Sequence, residues 1–312
     1  MHGVLATNSD LVFVWHDNSG QSFPEASTLL RTKVSQDGFT IDIQDDAVIT
    51  EPLIILTSSA ASNTAKNVVN IGKRAKVQIV EYIMADDNDA NNNIAMTINC
   101  GAESNLQHCI LHQAKESANI VQQSITSINQ DKDSNVTSNI FSFGAATSRI
   151  ELAIALQGQN ATCEAAYLAY THESETQNVL LKIDHLVPHC TSKSLARSIL
   201  KDKSITDFVG RIVVHPDAMK SFADLQIKNI ICSPKAQANN RPELEIYNDD
   251  VHCSHGSSTG QMNEEALFYM RSRGLDAAQA IEMIIEGFIQ PAIDSCKIAA
   301  IPAFIKSLVM ER

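Results

Sequence analysis

A mainly β chain closed by a short helical region is predicted by three observations. From about Pro52 to Ser257, short alternating or apolar segments recur between Asn, Ser, Asp and His breaks, and no amphipathic helix interrupts them. Hairpin turns of the Asn-Gly or Asp-Gly kind are nearly absent apart from Asp37-Gly38, and the whole chain holds 12 glycines. After Asn263 the apolar period changes from two residues to the helical one. About a dozen strands without crossover helices exclude a doubly wound α/β fold. A meander of tight hairpins would use more glycine. A stacked β-solenoid is therefore favoured, with a sandwich or a propeller left open.

Residues 1–50 read as short strands and loops. Leu11, Phe13 and Trp15 alternate with Val12 and Val14, a strand apolar on both faces. NSGQSFPEAS is a turn-rich break, and Ile41, Ile43 and Val48 mark another strand. Residues 51–258 form the β-body, in segments such as LIIL, AKVQIVEYIM, NLQHCILHQ, SRIELAIAL, TCEAAYLAY and ELEIYN. Around Ala218 and Leu195 the helical pattern lasts a turn or two at most. Asn and Ser breaks suit corners in left-handed or Asx conformations. Three strands of about six residues plus corners give a turn of roughly 24 residues, and so about eight turns. No strict sequence period is evident. The last turn of a solenoid exposes unpaired strand edges, so helices covering part of that end and a dimer near Cys253 are both expected.

Residues 259–312 form the helical region. Asn263 caps its first helix, Glu264 and Glu265 lie where the dipole favours anions, and Gly274 supplies the stop after Arg271 and Arg273. Asp276 and Gln279 have capping-box spacing for a second helix, with Ile281, Ile284, Ile285 and Phe288 as its apolar stripe. After Pro291 a final helix from Ala292 to about Val309 presents Ile298, Ile301, Phe304, Ile305 and Leu308.

The net charge of −12, without a Lys/Arg run, argues against nucleic acid and against an anionic membrane surface. No stretch approaches the ~20 apolar residues of a membrane helix, and the N-terminus lacks the pattern of a secretory signal. A cytoplasmic protein is expected. The seven cysteines include no C-x-x-C pair, which disfavours a disulfide framework or a self-contained metal cage.

The sharpest candidate site is His252-Cys253-Ser254-His255, at the boundary between strands and helices. In an extended segment Cys253 and His255 share one face, while His252 and Ser254 take the other. A thiolate and an imidazole together suit iron, zinc or a nascent cluster, but two ligands need completion by another chain or a small thiol. Asp249 and Asp250 read either as paired carboxylates or as an acidic turn. His108, His112, His172, His185, His189 and His215 lie on or beside strands without metal-site spacing and are assigned to structure. No nucleophile elbow and no phosphate-binding glycine motif occurs, so any ATP that drives this protein is hydrolysed elsewhere.

The run DDVHCSHGSSTGQMNEEALFYMRSRG, with GRIVVHPDAMKSFADLQIKNIICSPKAQANNRPELEIYNDD before it, resembles the SufB/SufD family of iron–sulfur cluster assembly proteins on its SufD branch. The similarity is clear from about Phe208 to Phe288 and extends more weakly to about Leu53. The resemblance implies a right-handed parallel β-helix and a non-enzymatic scaffold. It implies a SufB-like partner across the β-helix edge and a SufC-like ATPase on residues 263–288. His255, beside Cys253, would contribute to transient iron or a nascent cluster opposite a SufB cysteine. A flavin in the complex is left open, and the family's helical segment before the β-helix finds little room in residues 1–50. The alternatives are a β-helix carbohydrate-active enzyme and a stand-alone homodimer.

Overall fold

The computed structural model describes residues 13–16, 30–35, 38–57, 65–85, 91–114 and 120–311. The expected break NSGQSFPEAS, and the two-faced character expected of the first strand's side chains, lie outside the described residues. In chain order the strands are β1 (Phe13–His16), β2 (Leu30–Ser35), β3 (Gly38–Ile43), β4 (Leu53–Thr57), β5 (Ala65–Ile71), β6 (Lys76–Ala85), β7 (Asn91–Cys100), β8 (Asn105–Ala114) and β9 (Val121–Gln130). There follow β10 (Asn135–Phe143), β11 (Thr147–Leu156), β12 (Thr162–Thr171), β13 (Thr176–His185), β14 (Thr191–Leu200), β15 (Ile205–Val214), β16 (Phe222–Ile231), β17 (Gln237–Ile246) and β18 (His252–Gln261). Three helices close the chain: α1 (Glu264–Ser272), α2 (Ala277–Ser295) and α3 (Ile301–Met310).

From β4 onward the even-numbered strands, with β1, form one parallel sheet running from β1 to β18; the odd-numbered strands form the second, ending at β17. The β2–β3 pair, at the other end of the second sheet, is antiparallel. The body is therefore a parallel β-solenoid, as expected, with about seven turns rather than eight. Its turn differs from expectation. Leu106, Val136, Cys163, Ser192, Ala223 and Cys253 stand in one column, so a turn takes 27 to 31 residues and two strands of about ten, not roughly 24 residues and three strands. Two long strands flatten the coil, so the inner faces of the two sheets pack directly on each other. Phe39, Ile79, Ile110, Ile140, Tyr167, Leu181, Phe208 and Ile227 belong to that one continuous core.

The corners carry the register from turn to turn. Asp46, Arg74, Glu103, Asp133, Asn160, His189 and Lys220 all have positive φ, and the next residue is always small and buried: Ala47, Ala75, Ser104, Ser134, Ala161, Cys190 and Ser221. The left-handed residue turns its N–H along the solenoid axis. Asp46 N donates to Lys73 O (2.8 Å), Arg74 N to Ala102 O (2.9 Å), Glu103 N to Lys132 O (2.8 Å) and Lys220 N to Asp250 O (2.6 Å). The strand ladder thus continues around the bend. Most of these corners are charged residues rather than the Asn and Ser that the sequence reading favoured. A second ladder of side-chain amides runs up the outer face of the second sheet. Asn70 donates to Asp42 (2.7 Å), Asn99 to Asn70 (2.8 Å), Asn129 to Asn99 (2.9 Å) and Gln157 to Asn129 (3.3 Å).

Contrary to the sequence expectation, the helices do not cover the open end; α2 and α3 lie on the outer face of the first sheet. That face carries Tyr82, Cys109, Leu111, Phe141, Phe143, Leu168, Tyr170 and Ile199, which bury Ile285, Ile289, Ile293, Ile301 and Ile305 in a second core. Each such aliphatic side chain contributes roughly 1.5–3 kcal/mol, enough to hold the helices there rather than over a polar strand edge. The expected caps form: Asn263 accepts from Ala266 N (2.9 Å), Gly274 takes φ +97°, and Asp276 and Gln279 make a capping box. Pro291 does not begin the last helix; it lies inside α2, which runs on to Ser295 before a break leads into α3. The stripe of Ile285, Ile289, Ala292 and Ile293 continues past the proline, and its burial outweighs the one backbone bond that Pro291 cannot make.

Gly158 packs its Cα against the backbone of Asp131 and Lys132 in the previous corner, where a Cβ has no room. Gly158→Ala should destabilise the fold by about 1–3 kcal/mol through forced backbone shifts. An unchanged urea midpoint would count against this account of the corners. Ile305→Ala should cost ~2–5 kcal/mol and loosen α3 first. Hydrogen exchange in residues 301–310 should then rise before exchange in the solenoid does.

Candidate functional site

The last turn consists of β17 and β18, and nothing among the described residues stacks on either. The register of β18 on β16 fixes which side chains face inward. Cys253 stands over Ala223, His255 over Leu225, Ser257 over Ile227 and Thr259 over Asn229. Ala223, Leu225 and Ile227 are buried members of the inner core, so Cys253 and His255 share the inner face of the open turn. This is the shared face that strand alternation predicts. Cys253 is half-buried and packs against the core, while His255 is exposed. Burial pushes the Cys253 thiol up from its ordinary value. The sulfur is therefore held as a thiol at neutral pH.

The polar lining of this turn comes from both sheets. Asn240, on β17, donates to Ser257 Oγ (3.2 Å) and Thr259 Oγ1 (3.3 Å), and Asn229 donates to Thr259 Oγ1 (3.1 Å). Sequence reasoning missed Asn240, Ser257 and Thr259. The available signal was their alternation with Cys253 and His255, but only the pairing across sheets brings Asn240 to them. On the outer face His252 points away, and Ser254 donates to Asp224 Oδ1 (2.5 Å). Asp249 and Asp250 form the last corner, with Asp250 N donating to Asn248 Oδ1 (2.9 Å), and are not a facing pair of carboxylates in a cleft. Glu264 and Glu265 lie in the first turn of α1.

The two edges of this end differ. β17 carries Arg241, Pro242, Glu243 and Glu245; proline and alternating charge both discourage a further strand. β18 reads His-Cys-Ser-His-Gly-Ser-Ser-Thr-Gly-Gln, with no proline, Lys, Arg, Asp or Glu, and is exposed along most of its length. Its unpaired backbone groups are the available ones.

The other histidines fall into structural settings. His108 sits inside the solenoid between Ser138 Oγ (Nδ1, 2.8 Å) and Glu81 Oε1 (Nε2, 2.8 Å). His112 sits between Ser148 Oγ (2.9 Å) and Ser124 Oγ (2.8 Å), and His185 contacts Ser192 Oγ (2.8 Å). His189 is an exposed corner residue. Among the described residues no three His, Cys, Asp or Glu side chains converge as a metal site. Cys253 and His255 together present one thiol and one imidazole, short of such a set. A cavity of about 930 Å³ lies elsewhere, on the outer face of the second sheet between Arg149, Asn178 and Asp207, and includes neither residue.

Residues 54–288 match the model of the SUF system FeS cluster assembly, SufBD core domain. The chain belongs to the SufBD family. It is 31% identical over 230 residues to the iron–sulfur cluster assembly protein SufD of Escherichia coli, covering 72% of this chain and 54% of that protein. It is 28% identical over 221 residues to the SufBD family protein slr0076 of Synechocystis, covering 70% and 48%. To SufB of Bacillus subtilis it is 29% identical over 136 residues, covering 44% and 29%. The chain thus spans about half the length of the first two of these SufBD relatives. No helix among the described residues is long and apolar enough to cross a membrane.

Buried neutral histidines make the SufBD solenoid acid-sensitive. Burial lowers His112 from 6.5 to about 3 and His185 from 6.5 to about 4. Below pH 6.5 the unfolded chain therefore binds protons that the folded chain refuses. This contribution is fully present above about pH 6.5 and is lost as pH falls toward 4 and 3, at up to about 1.4 kcal/mol per pH unit for each group. Urea midpoints should decline steadily from pH 6.5 to 4.5, and His112→Gln should flatten the slope. Equal slopes in the two proteins would contradict the assignment.

Proposed function

We propose that this chain is a SufD-like scaffold subunit that performs no catalysis of its own. Its open last turn pairs with a SufB-like β-helix, and the seam between them receives iron or a nascent iron–sulfur cluster as cargo. The observation that carries this reading is the inner face of β18. There Cys253 and His255 stand together at an unprotected strand edge, with too few ligands between them to hold a metal alone. The family membership and the likeness to E. coli SufD support it. His255 is the exposed ligand facing the partner, and Cys253, packed on the core, is the second. The complex works in the cytoplasm. A homodimer through the same edge forms when the partner is absent.

An ATPase of the SufC kind docks on residues 263–288. There α1 has no buried residue, and Phe268, Tyr269 and Met283 are exposed by 75%, 59% and 56%. Such an apolar surface on a helix pair, beside two cores that are fully packed, fits a partner's groove.

His255→Ala should leave the unfolding free energy within ~0.5 kcal/mol of wild type, because the imidazole is exposed. Iron and acid-labile sulfide in the complex reconstituted with SufB and SufC homologues should fall to background. Unchanged cluster yield rejects the role. Phe268→Ala should weaken ATPase binding by roughly 30-fold if it is an anchor of that interface. Equal affinities by calorimetry would move the docking surface elsewhere.

A further inference from the structure

On the outer face of the first sheet, Arg197 of β14 stands directly beside Lys228 of β16, and Ser258 of β18 continues the row. Like charges in register on neighbouring strands repel. Elsewhere carboxylates balance such charges: Lys193 stands beside Asp224, and where Lys182 stands beside Arg211, Asp184 lies 2.8 Å from the lysine and Glu243 3.3 Å from the arginine, with Glu245 at 2.5 Å. The Arg197–Lys228 pair is not balanced in this way. Among the described residues no carboxylate is paired with either side chain, and burial without a compensating charge pulls the Arg197 guanidinium below its ordinary value.

Arg197 is also unsatisfied as a hydrogen-bond donor. Its Nε and Nη1 are buried without an acceptor, and its guanidinium lies over the Phe288 ring of α2, 5.4 Å from the centroid. An exposed arginine such as Arg149 meets water, but these two nitrogens do not. A buried donor left unpaired costs about 1–3 kcal/mol, more when charged. The ring offsets part of this on one side only. Lys228 is exposed, so the row is open to solution on its β16 side.

We propose that Arg197 and Lys228 form a binding site for a small oxyanion, a phosphate or a carboxylate, seated on the outer sheet face at the margin of α2 with the Ser258 hydroxyl within the same row. A bound anion would stand between two cations that otherwise repel. Phe288 and the sheet shield one side and strengthen the charge-assisted bonds. This site is separate from Cys253 and His255, which face the inside of the solenoid, and it does not rest on the cluster-assembly reading.

The test is calorimetric titration of the full chain with inorganic phosphate and, separately, with succinate, at constant ionic strength held by chloride. Saturable binding of at least one probe is expected. Phosphate alone identifies an oxyanion of the phosphate kind, succinate alone a carboxylate, and either result supports the site. Arg197→Gln and Lys228→Gln should each weaken binding at least tenfold, while Arg149→Gln, with the same change of charge on the other sheet, should leave it unchanged. Lys228→Gln, at an exposed position, keeps the test decisive should Arg197→Gln misfold. No saturable binding of either probe to wild type, or equal weakening by Arg149→Gln, overturns the proposal.

Discussion

Parallel register is the constraint on which this molecule depends. Because each residue stands on its counterpart one turn away, a single side chain's direction decides the direction of a whole column. A slip of one residue in β16 would turn Leu225 and Ile227 outward and bring Asp224 and Lys228 into the core. The corners from Asp46 to Lys220 hold this register without a glycine at the left-handed position. A left-handed residue sends its N–H to the next turn, and a small side chain after it fills the narrow end of the coil. The amide ladder from Asp42 to Gln157 repeats the same instruction on the outer face, where no hydrophobic core enforces it.

The same register makes the site. Cys253 and His255 belong to columns that lower down hold Leu106 and His108, buried and inert. What changes is only that no turn follows. A residue that would be sealed in the middle of the solenoid becomes half-buried or exposed at its end, while the strand beneath still fixes its position. The site is thus rigid on one side and open on the other, as the proposed sharing of cargo with a partner requires.

Strand existence was readable from alternation, and so was the shared face of Cys253 and His255. Both helix caps were readable, because Asn263 and Asp276 act within four residues of themselves. The turn length was not. Its marker is a small residue such as Ala75, Ser104 or Cys190 after a left-handed corner, and neither half has a fixed identity. The spacing also drifts as corners absorb extra residues. The helix placement did leave a trace. Strands such as β8, β10 and β12 are apolar on both faces toward their C-terminal halves, in CILH, IFSF and AAYLAY, and such runs need cover on both sides. The proline at 291 drew attention away from that match, because local geometry predicts a helix start there while burial against Phe141 and Leu168 keeps the helix going.

The asymmetry between the two end strands gives the open turn its direction. An uncapped solenoid end exposes two ladders of backbone groups, and either could recruit another chain. β17 is guarded by Pro242, which has no N–H to offer, and by Arg241, Glu243 and Glu245, which a neighbouring strand would have to match. β18 has no guard, and its small side chains at Ser254, Gly256, Ser258 and Gly260 let another backbone approach closely. The protected edge lies opposite the chemistry and the unprotected edge carries it. In the proposed assembly, a partner that adds to this end is led to the strand bearing Cys253 and His255, so that pairing and ligand completion become one event.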